Sequence, residues 1–566
     1  MKKRVVAMFL GMAMAVSALA GCGSTDTVKE SSQAESTEKT EESSVAESTQ
    51  ESSSEAAESD EIALDAFAGT TLTIAVKRHT ADTTENWNEK AAFKMAEEAT
   101  GIHIEFIELE ESVMSERVNI MLASDMPDAF WGVIGSGVIA KNKELFYDLS
   151  EEGLLETYAP NVVADYASID GGKGIERVTW PDGSIYSLMS NQASSVSDSA
   201  QGVMMINKAW LDKLGLDIPE TGEEFLEVMR AFRDNDMDGD GDTTNEIPFE
   251  FCENNWAAHI VNLADCWGIA SQDSSDSGHW RKLEDGKVYS TVDTDEFRAY
   301  LEFMHQMVEE KLIDVEGFSQ TNEQFYAKMK TGAVGCYIGY TPLHNMDYEM
   351  AKDYVLLKPF QAMEGVEPIK TGQQEPNSAY NTTFVASSEC ENIEALLHWW
   401  NYLSSSTEMK WTVNQGEKGG AWDFDADGNV IEIEPEGLTN EFNATNYSYT
   451  YGVSAGMFPL LRADEVAAPF DEFDPTNKGH VRYTYCMDLM DMMTDEYWPR
   501  RFVDTADVEE RDFLAVDMSP VISGYTATSI MEGVTDDSWN KFLEDLKTYG
   551  YYEWIDWYQR WVDGEF

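Results

Sequence analysis

Residues 71–133 read TLTIAVKRHTADTTENWNEKAAFKMAEEATGIHIEFIELEESVMSERVNIMLASDMPDAFWGV. Thr71 to Val76 is a β-rich run, and a polar loop follows it. Trp87 to Thr100 has the apolar spacing of an amphipathic helix and meets Gly101, a helix stop. His103 to Ile107 alternates as a strand, a helix is expected over about Ser112 to Ala123, and Ala129 to Val133 is apolar again. Strand, helix, strand, helix, strand predicts a βαβαβ unit, hence an α/β fold with a mainly parallel sheet flanked by helices.

Upstream the composition changes. Residues 24 to about 62 are Ser, Thr, Glu and Ala with almost no large apolar residue, a segment that cannot bury enough surface to fold and is expected to be an extended acidic tether. Before it, MKKRVVAMFLGMAMAVSALAGCGS has a basic start (Lys2, Lys3, Arg4) and an apolar run too short for a membrane span. Leu19-Ala20-Gly21-Cys22 resembles a bacterial lipobox, which implies cleavage before Cys22 and acylation of its thiol. The formal net charge of -66 repels phosphate backbones and anionic headgroups, so nucleic acid is excluded as a partner and the membrane is met only through the lipid. The other cysteines, Cys252, Cys266, Cys336, Cys390 and Cys486, are scattered with no CxxC pair, which removes zinc and redox motifs. Buried free thiols are expected, with a Cys252–Cys266 bridge left open.

Downstream, several segments carry a likeness in a fixed order: LASDMPDAFW, WPDGSIYSLM (Trp180 to Met189), VMMINKAWLDKLGLDIPETGEEFLEVMRAF (Val203 to Phe232), KMKTGAVGCYIG (Lys328 to Gly339) and TTFVASSECENIEALLHWWNYLSS (Thr382 to Ser405). Together they resemble the extracellular solute-binding proteins of ABC importers, in particular the sugar-binding lipoproteins of family 1. The resemblance implies a periplasmic-binding-protein-like fold of two α/β lobes joined by a hinge. It implies chain crossings near residues 190, 375 and 417. The expected division is a signal peptide over 1–21, the acylated cysteine and tether over 22–62, a first lobe of 63–190 plus 376–417, and a second lobe of 191–375 plus 418–566. The residues agree locally: Lys208 to Leu214 reads as a helix stopped by Gly215, and Thr221 with Glu224 forms a capping-box pattern opening the next one.

Residues 234–248 read DNDMDGDGDTTNEIP. Alternating Asp236, Asp238 and Asp240 before Gly241 place hard oxygen donors as a calcium loop does. The spacing departs from an EF-hand, because Glu246 stands at position eleven and Ile247 at twelve. It resembles a calcium loop found in some members of the family, which implies Asp236, Asp238, Asp240 and Glu246 as side-chain ligands and Asp242 through its carbonyl, with structural Ca²⁺ in the second lobe. A second acidic turn, Asp423 to Asn429, is read as a hairpin turn on Asp427-Gly428.

Sugar pockets set one or two aromatic rings among convergent polar groups, and ligands of open α/β sheets bind beyond the carboxyl ends of strands. Those rules select Arg78 and His79 after the first strand, Trp131 after the third, Trp256 beyond the acidic loop and Tyr340 after Gly335–Gly339. Trp422 follows a glycine-rich turn where the family makes cleft contacts. Trp399 and Trp400, and Trp554, Trp557 and Trp561, sit at helical spacing and read as packing. No GxSxG, HExxH or GxxxxGK[ST] motif is found, so no catalytic residue is assigned. The sequence thus leads to a monomeric, lipid-anchored binding component on the extracytoplasmic face of the membrane. The tether's length favours a Gram-positive surface. An oligosaccharide is the expected ligand, and permease transmembrane subunits are the implied partners. The alternatives are a peptide or other solute in the same fold, or a secreted glycosidase with two carboxylates across a cleft.

Overall fold

The computed structural model describes residues 62–190, 196–271, 279–373, 380–433, 435–438, 444–453, 457–467, 473–499 and 501–566. Cys22 and the tether lie outside them. The strands are β1 (Thr71–Arg78), β2 (His103–Glu110), β3 (Ala129–Trp131), β4 (Leu188–Ser190), β5 (Val203–Asn207), β6 (Ile247–Glu250), β7 (Arg281–Glu284), β8 (Lys287–Ser290), β9 (Val334–Gly339), β10 (Tyr354–Leu357), β11 (Lys370–Gln373), β12 (Tyr380–Ala386), β13 (Trp422–Phe424), β14 (Val430–Glu432) and β15 (Met493–Thr494). A five-stranded sheet runs β2-β1-β3-β12-β4 and a four-stranded sheet runs β10-β5-β9-β6. β1 is parallel to β2 and β3, with Ile74 opposite both Phe106 and Ala129, as the βαβαβ pattern requires. β12 runs antiparallel to β3 and β4. In the second sheet β6 is parallel to β9, while β5 is antiparallel to both β9 and β10.

The helix Ala91–Thr100 ends where Gly101 takes φ +67, and a Cβ there would lie 2.6 Å from that of Ala68. Thr221 and Glu224 form the capping box of the helix Gly222–Asp234. Each sheet has its own apolar core. The first gathers Leu72, Ile74, Trp131, Phe384, Trp399 and Trp400, and the second gathers Ile206, Phe225, Met229, Phe249, Ile338 and the C-terminal Trp554, Trp557 and Trp561. Cys252 and Cys266 are buried and unbridged.

The chain leaves the first sheet after β4, builds the second with β5, and returns with β12. The crossing expected near 417 is corrected. Trp422, Val430, Val453 and Met457–Leu461 all pack into the core of the first sheet, and residues return to the second lobe only with the helix Lys478–Leu489, through Leu489. Burying this aromatic hairpin against Trp411 keeps it with the first lobe. Among the described residues no helix is long and apolar enough to cross a membrane.

Candidate functional site

β6 and β9 point the same way, so the loops that follow them emerge on one edge of the second sheet. The loop after β6 carries Asn255 and Trp256, and the loop after β9 carries Tyr340 and His344. Trp256 is 49% exposed, unusual for the largest side chain. Its ring lies 5.3 Å from Tyr340 and 6.4 Å from His344, and His344 lies 5.8 Å from Tyr340 and 6.1 Å from Tyr326. Asn255 Nδ2 donates to Asn322 Oδ1 and to Tyr326 Oη, both at 2.9 Å. The result is an aromatic platform edged by amides and hydroxyls. His344 is half-buried, and its pKa is pushed down to about 4, first by desolvation and then by Lys478 and Arg482, so the imidazole is neutral at physiological pH. Arg482 is wholly buried beneath Tyr340, with its guanidinium carbon 4.1 Å from the ring centroid. Trp256 and Tyr340 were selected from their places after strands. Tyr326, His344, Asn322 and Arg482 were not: Asn322 and Tyr326, like Tyr340 and His344, are four residues apart, but spacing gives no sign that the two segments and Arg482 come together.

The loop is held from below. Glu250, the last residue of β6, is wholly buried; its Oε1 accepts from Phe251 N at 2.9 Å and from Gln320 Nε2 at 2.7 Å. The Gln320 carbonyl in turn accepts from Asn254 Nδ2 at 2.7 Å. Burial, helped by Asp314, raises the Glu250 pKa from 4.5 to about 8 against the pull of Lys328. Between these values the unfolded chain is ionised while the folded one keeps its proton, so this group's contribution to stability is full below pH 4.5 and is lost as pH rises through 8, at about 1.4 kcal/mol per unit. Glu250→Gln keeps the Oε1 acceptor and removes the titration. The variant is expected to melt above the parent at pH 8, with the gap closing toward pH 5 in thermal melts; a parallel pH dependence would mean that Glu250 titrates as an ordinary carboxylate.

On the first lobe, His79 stacks on Tyr449 with ring centroids 3.7 Å apart and planes 7° apart. Lys90 holds Tyr449 in place, since its Nζ reaches the carbonyls of Tyr449, Thr450 and Gly452 while pairing with buried Asp82 at 2.9 Å. Two expected ligand residues are corrected, Trp131 and Trp422. Trp131 has no exposed surface, sits edge-on to Trp87 and Trp400, and donates Nε1 to the Met457 carbonyl at 2.6 Å. Trp422 is equally buried and donates to the Gly416 carbonyl at 2.8 Å. Arg78 is engaged by Glu108 and by the carbonyls of Thr84 and Glu85.

The acidic loop lies between the helix Gly222–Asp234 and β6. Gly239 and Gly241, at φ +85 and +93, turn their N–H groups onto the two Asp236 oxygens at 2.7 and 3.0 Å. Carboxylate oxygens of Asp236, Asp238 and Glu246 all lie within 4.8 Å of one another. Glu246 Oε1 accepts from Met237 N at 2.6 Å, and its buried Oε2 has no hydrogen-bond partner among the described residues. An orphaned carboxylate oxygen beside two further carboxylates fits a hard divalent cation. Asp240 instead turns one oxygen to Asn245 Nδ2 at 2.9 Å, and Asp242 Oδ1 accepts from Thr244. The turn at Asp423–Asn429 is the antiparallel hairpin β13–β14.

A family profile described as "Bacterial extracellular solute-binding protein" matches residues 91–405, more than half of the chain. The fructooligosaccharide ABC transporter substrate-binding protein FusA of Streptococcus pneumoniae serotype 4 is 25% identical over 499 residues, 84% of this chain and 87% of that one. Among solved structures, an EF-hand mutant of S. pneumoniae FusA in complex with fructo-nystose has a TM-score of 0.72 at 22% identity, covering 88% of this chain and 99% of that chain. An HMO-binding, ABC-transporter-associated solute-binding protein from Bifidobacterium longum infantis has a TM-score of 0.74 at 21% identity, covering 87% and 98%. These structures share the two-lobed α/β periplasmic-binding-protein fold. The chain belongs to the bacterial extracellular solute-binding proteins, a family of transport components rather than enzymes.

Proposed function

We propose that this protein captures an oligosaccharide and hands it to the permease subunits of an ABC importer. The observation that carries this is the half-exposed Trp256 ring among Tyr340, neutral His344 and the Asn255–Asn322 amides. Sugars present flat C–H faces to rings and hydroxyls to amides, and this edge of the second sheet offers both. The ligand lies between the lobes, with His79 and Tyr449 facing it from the first. Closure about the crossings then shifts the population toward the form that the permease recognises. The names of the sugar-binding relatives support the same cargo class. The lipid on Cys22 and the acidic tether keep a single chain near its permease on the outer face of the membrane. A thermal-shift screen of oligosaccharides and short peptides tests the proposal: stabilisation by sugars is expected, and stabilisation by peptides alone would replace it with a peptide cargo.

The acidic loop is proposed to hold structural Ca²⁺ through Asp236, Asp238 and Glu246, with Asp240, and with Asp242 through its carbonyl. The orphaned Glu246 oxygen supports it, as does the EF-hand named for the FusA mutant. Calcium at ten times its Kd would add about 1.4 kcal/mol. Chelation is therefore expected to lower Tm by roughly 1–3 °C, and Glu246→Gln should abolish the difference between calcium and chelator. Equal melting with and without chelator in the parent would remove calcium from the proposal.

A further inference from the structure

A binding edge that takes uronic acids or sulfated sugars must offer a cation, because a carboxylate leaving water costs several kcal/mol unless it is paired. Among the described residues, the cations beside this platform are already engaged. Arg482 is wholly buried under Tyr340, and all three of its nitrogens are committed: Nε to the Ser197 carbonyl at 2.8 Å, Nη1 to the Tyr340 carbonyl at 3.0 Å, and Nη2 to the Ala200 carbonyl. Its charge meets the covered face of the ring, and with no exposed surface the guanidinium does not reach a ligand. Lys478, one helical turn earlier, is exposed and has an interaction of its own. Burial, with a smaller contribution from Glu323, raises the Tyr326 phenol's pKa, and Glu253 faces His259 at 3.4 Å.

The first lobe repeats the pattern. Arg78 is closed on Glu108, and the Lys90 ammonium is buried against Asp82 and three carbonyls. Among the described residues, no unengaged cation remains beside these rings, which leave an indole, phenols, imidazoles and amides toward a ligand, with the Glu253 and Glu323 carboxylates at the edge. We infer that the cargo is an uncharged oligosaccharide, and that the platform discriminates against sugars bearing carboxylate or sulfate groups. The inference rests on the carbohydrate reading above and narrows it. Ring stacking and hydroxyl hydrogen bonds involve no ion release, so binding should be nearly indifferent to salt.

Calorimetric titration of the full-length protein tests this. The probes are neutral fructo-, xylo-, malto-, manno- and galacto-oligosaccharides against oligogalacturonates of the same lengths, at 20 and 300 mM NaCl. At least one neutral series is expected to bind, with Kd changing less than twofold between the two salts, and oligogalacturonates should bind at least tenfold more weakly. Oligogalacturonate binding as tight as the best neutral sugar, or lost with Lys478→Gln, would overturn the inference and leave the carbohydrate reading standing. Binding by neither class would overturn the carbohydrate reading and the inference with it.

Discussion

Trp256→Ala is expected to weaken oligosaccharide binding at least a hundredfold, about 3 kcal/mol, while leaving the melting temperature within a degree or two of the parent. The two halves of this expectation come from one number. Half of the indole is exposed in the free protein, so removing it opens no cavity and leaves no buried partner unsatisfied. The same exposure means that ligand, rather than protein, covers the ring, and a Trp that becomes buried on binding is the commonest single source of affinity. Its neighbours position it: Tyr340 at 5.3 Å limits its tilt, and the Ala257 N–H donates to Asn255 Oδ1 at 3.0 Å, fixing the turn that presents it. Trp256→Phe keeps a smaller stacking face and should lose less. Calorimetry on both variants checks this. Unchanged affinity in Trp256→Ala would move the ligand off this edge of the second sheet.

Much of this was visible in the chain, and the failures have a common cause. The βαβαβ unit at 71–133 could be read because alternation and helical spacing are local, as is the capping box at Thr221–Glu224. Trp131 was misplaced because the end of a strand identifies an edge of the sheet but not the face on which the side chain falls. Its partner, the Met457 carbonyl, is 326 residues away. Trp422 and the crossing near 417 failed together: the Asp427-Gly428 turn is legible as a hairpin, but nothing local says that the hairpin packs on the first core. Arg482 joins Tyr340 only through the packing of the helix Lys478–Leu489 under the end of β9, and Tyr326 meets His344 only in the fold. The acidic loop was legible as a donor set, yet only the folded loop separates Asp236, Asp238 and Glu246, which converge, from Asp242, whose carboxylate turns to Thr244.

Lys410→Met is expected to destabilise the protein by about 3–5 kcal/mol at pH 8 and by clearly less at pH 5.5. The Lys410 ammonium is buried and bonds Asp165 Oδ1 and Glu465 Oε2, each at 2.7 Å, tying the helix Pro160–Ala167 to the segment at 462–465. Methionine fills the space and leaves two buried carboxylates facing each other, with Arg462 the one cation left beside them among the described residues, at 3.6 Å from Asp165 and 3.1 Å from Glu465. The pH term follows from Asp165. Burial raises its pKa from 3.8 to about 7, against the pull of Lys410, so its contribution to stability is full below pH 3.8 and is lost as pH rises through 7. Without Lys410 that pKa rises further, and at pH 5.5 the variant meets its vacancy by keeping Asp165 protonated, whereas at pH 8 it must hold the charge or take up a proton against the solvent. Adding Asp165→Asn to Lys410→Met removes one of the two charges and should recover part of the loss at pH 8, with little gain at pH 5.5. Urea unfolding of the parent, the single variant and the double variant at the two pH values measures all of these differences. A Lys410→Met penalty that is the same at both pH values would show that the ammonium does not shift the Asp165 titration between pH 5.5 and 8, and the proton-holding reading of the triad would fall.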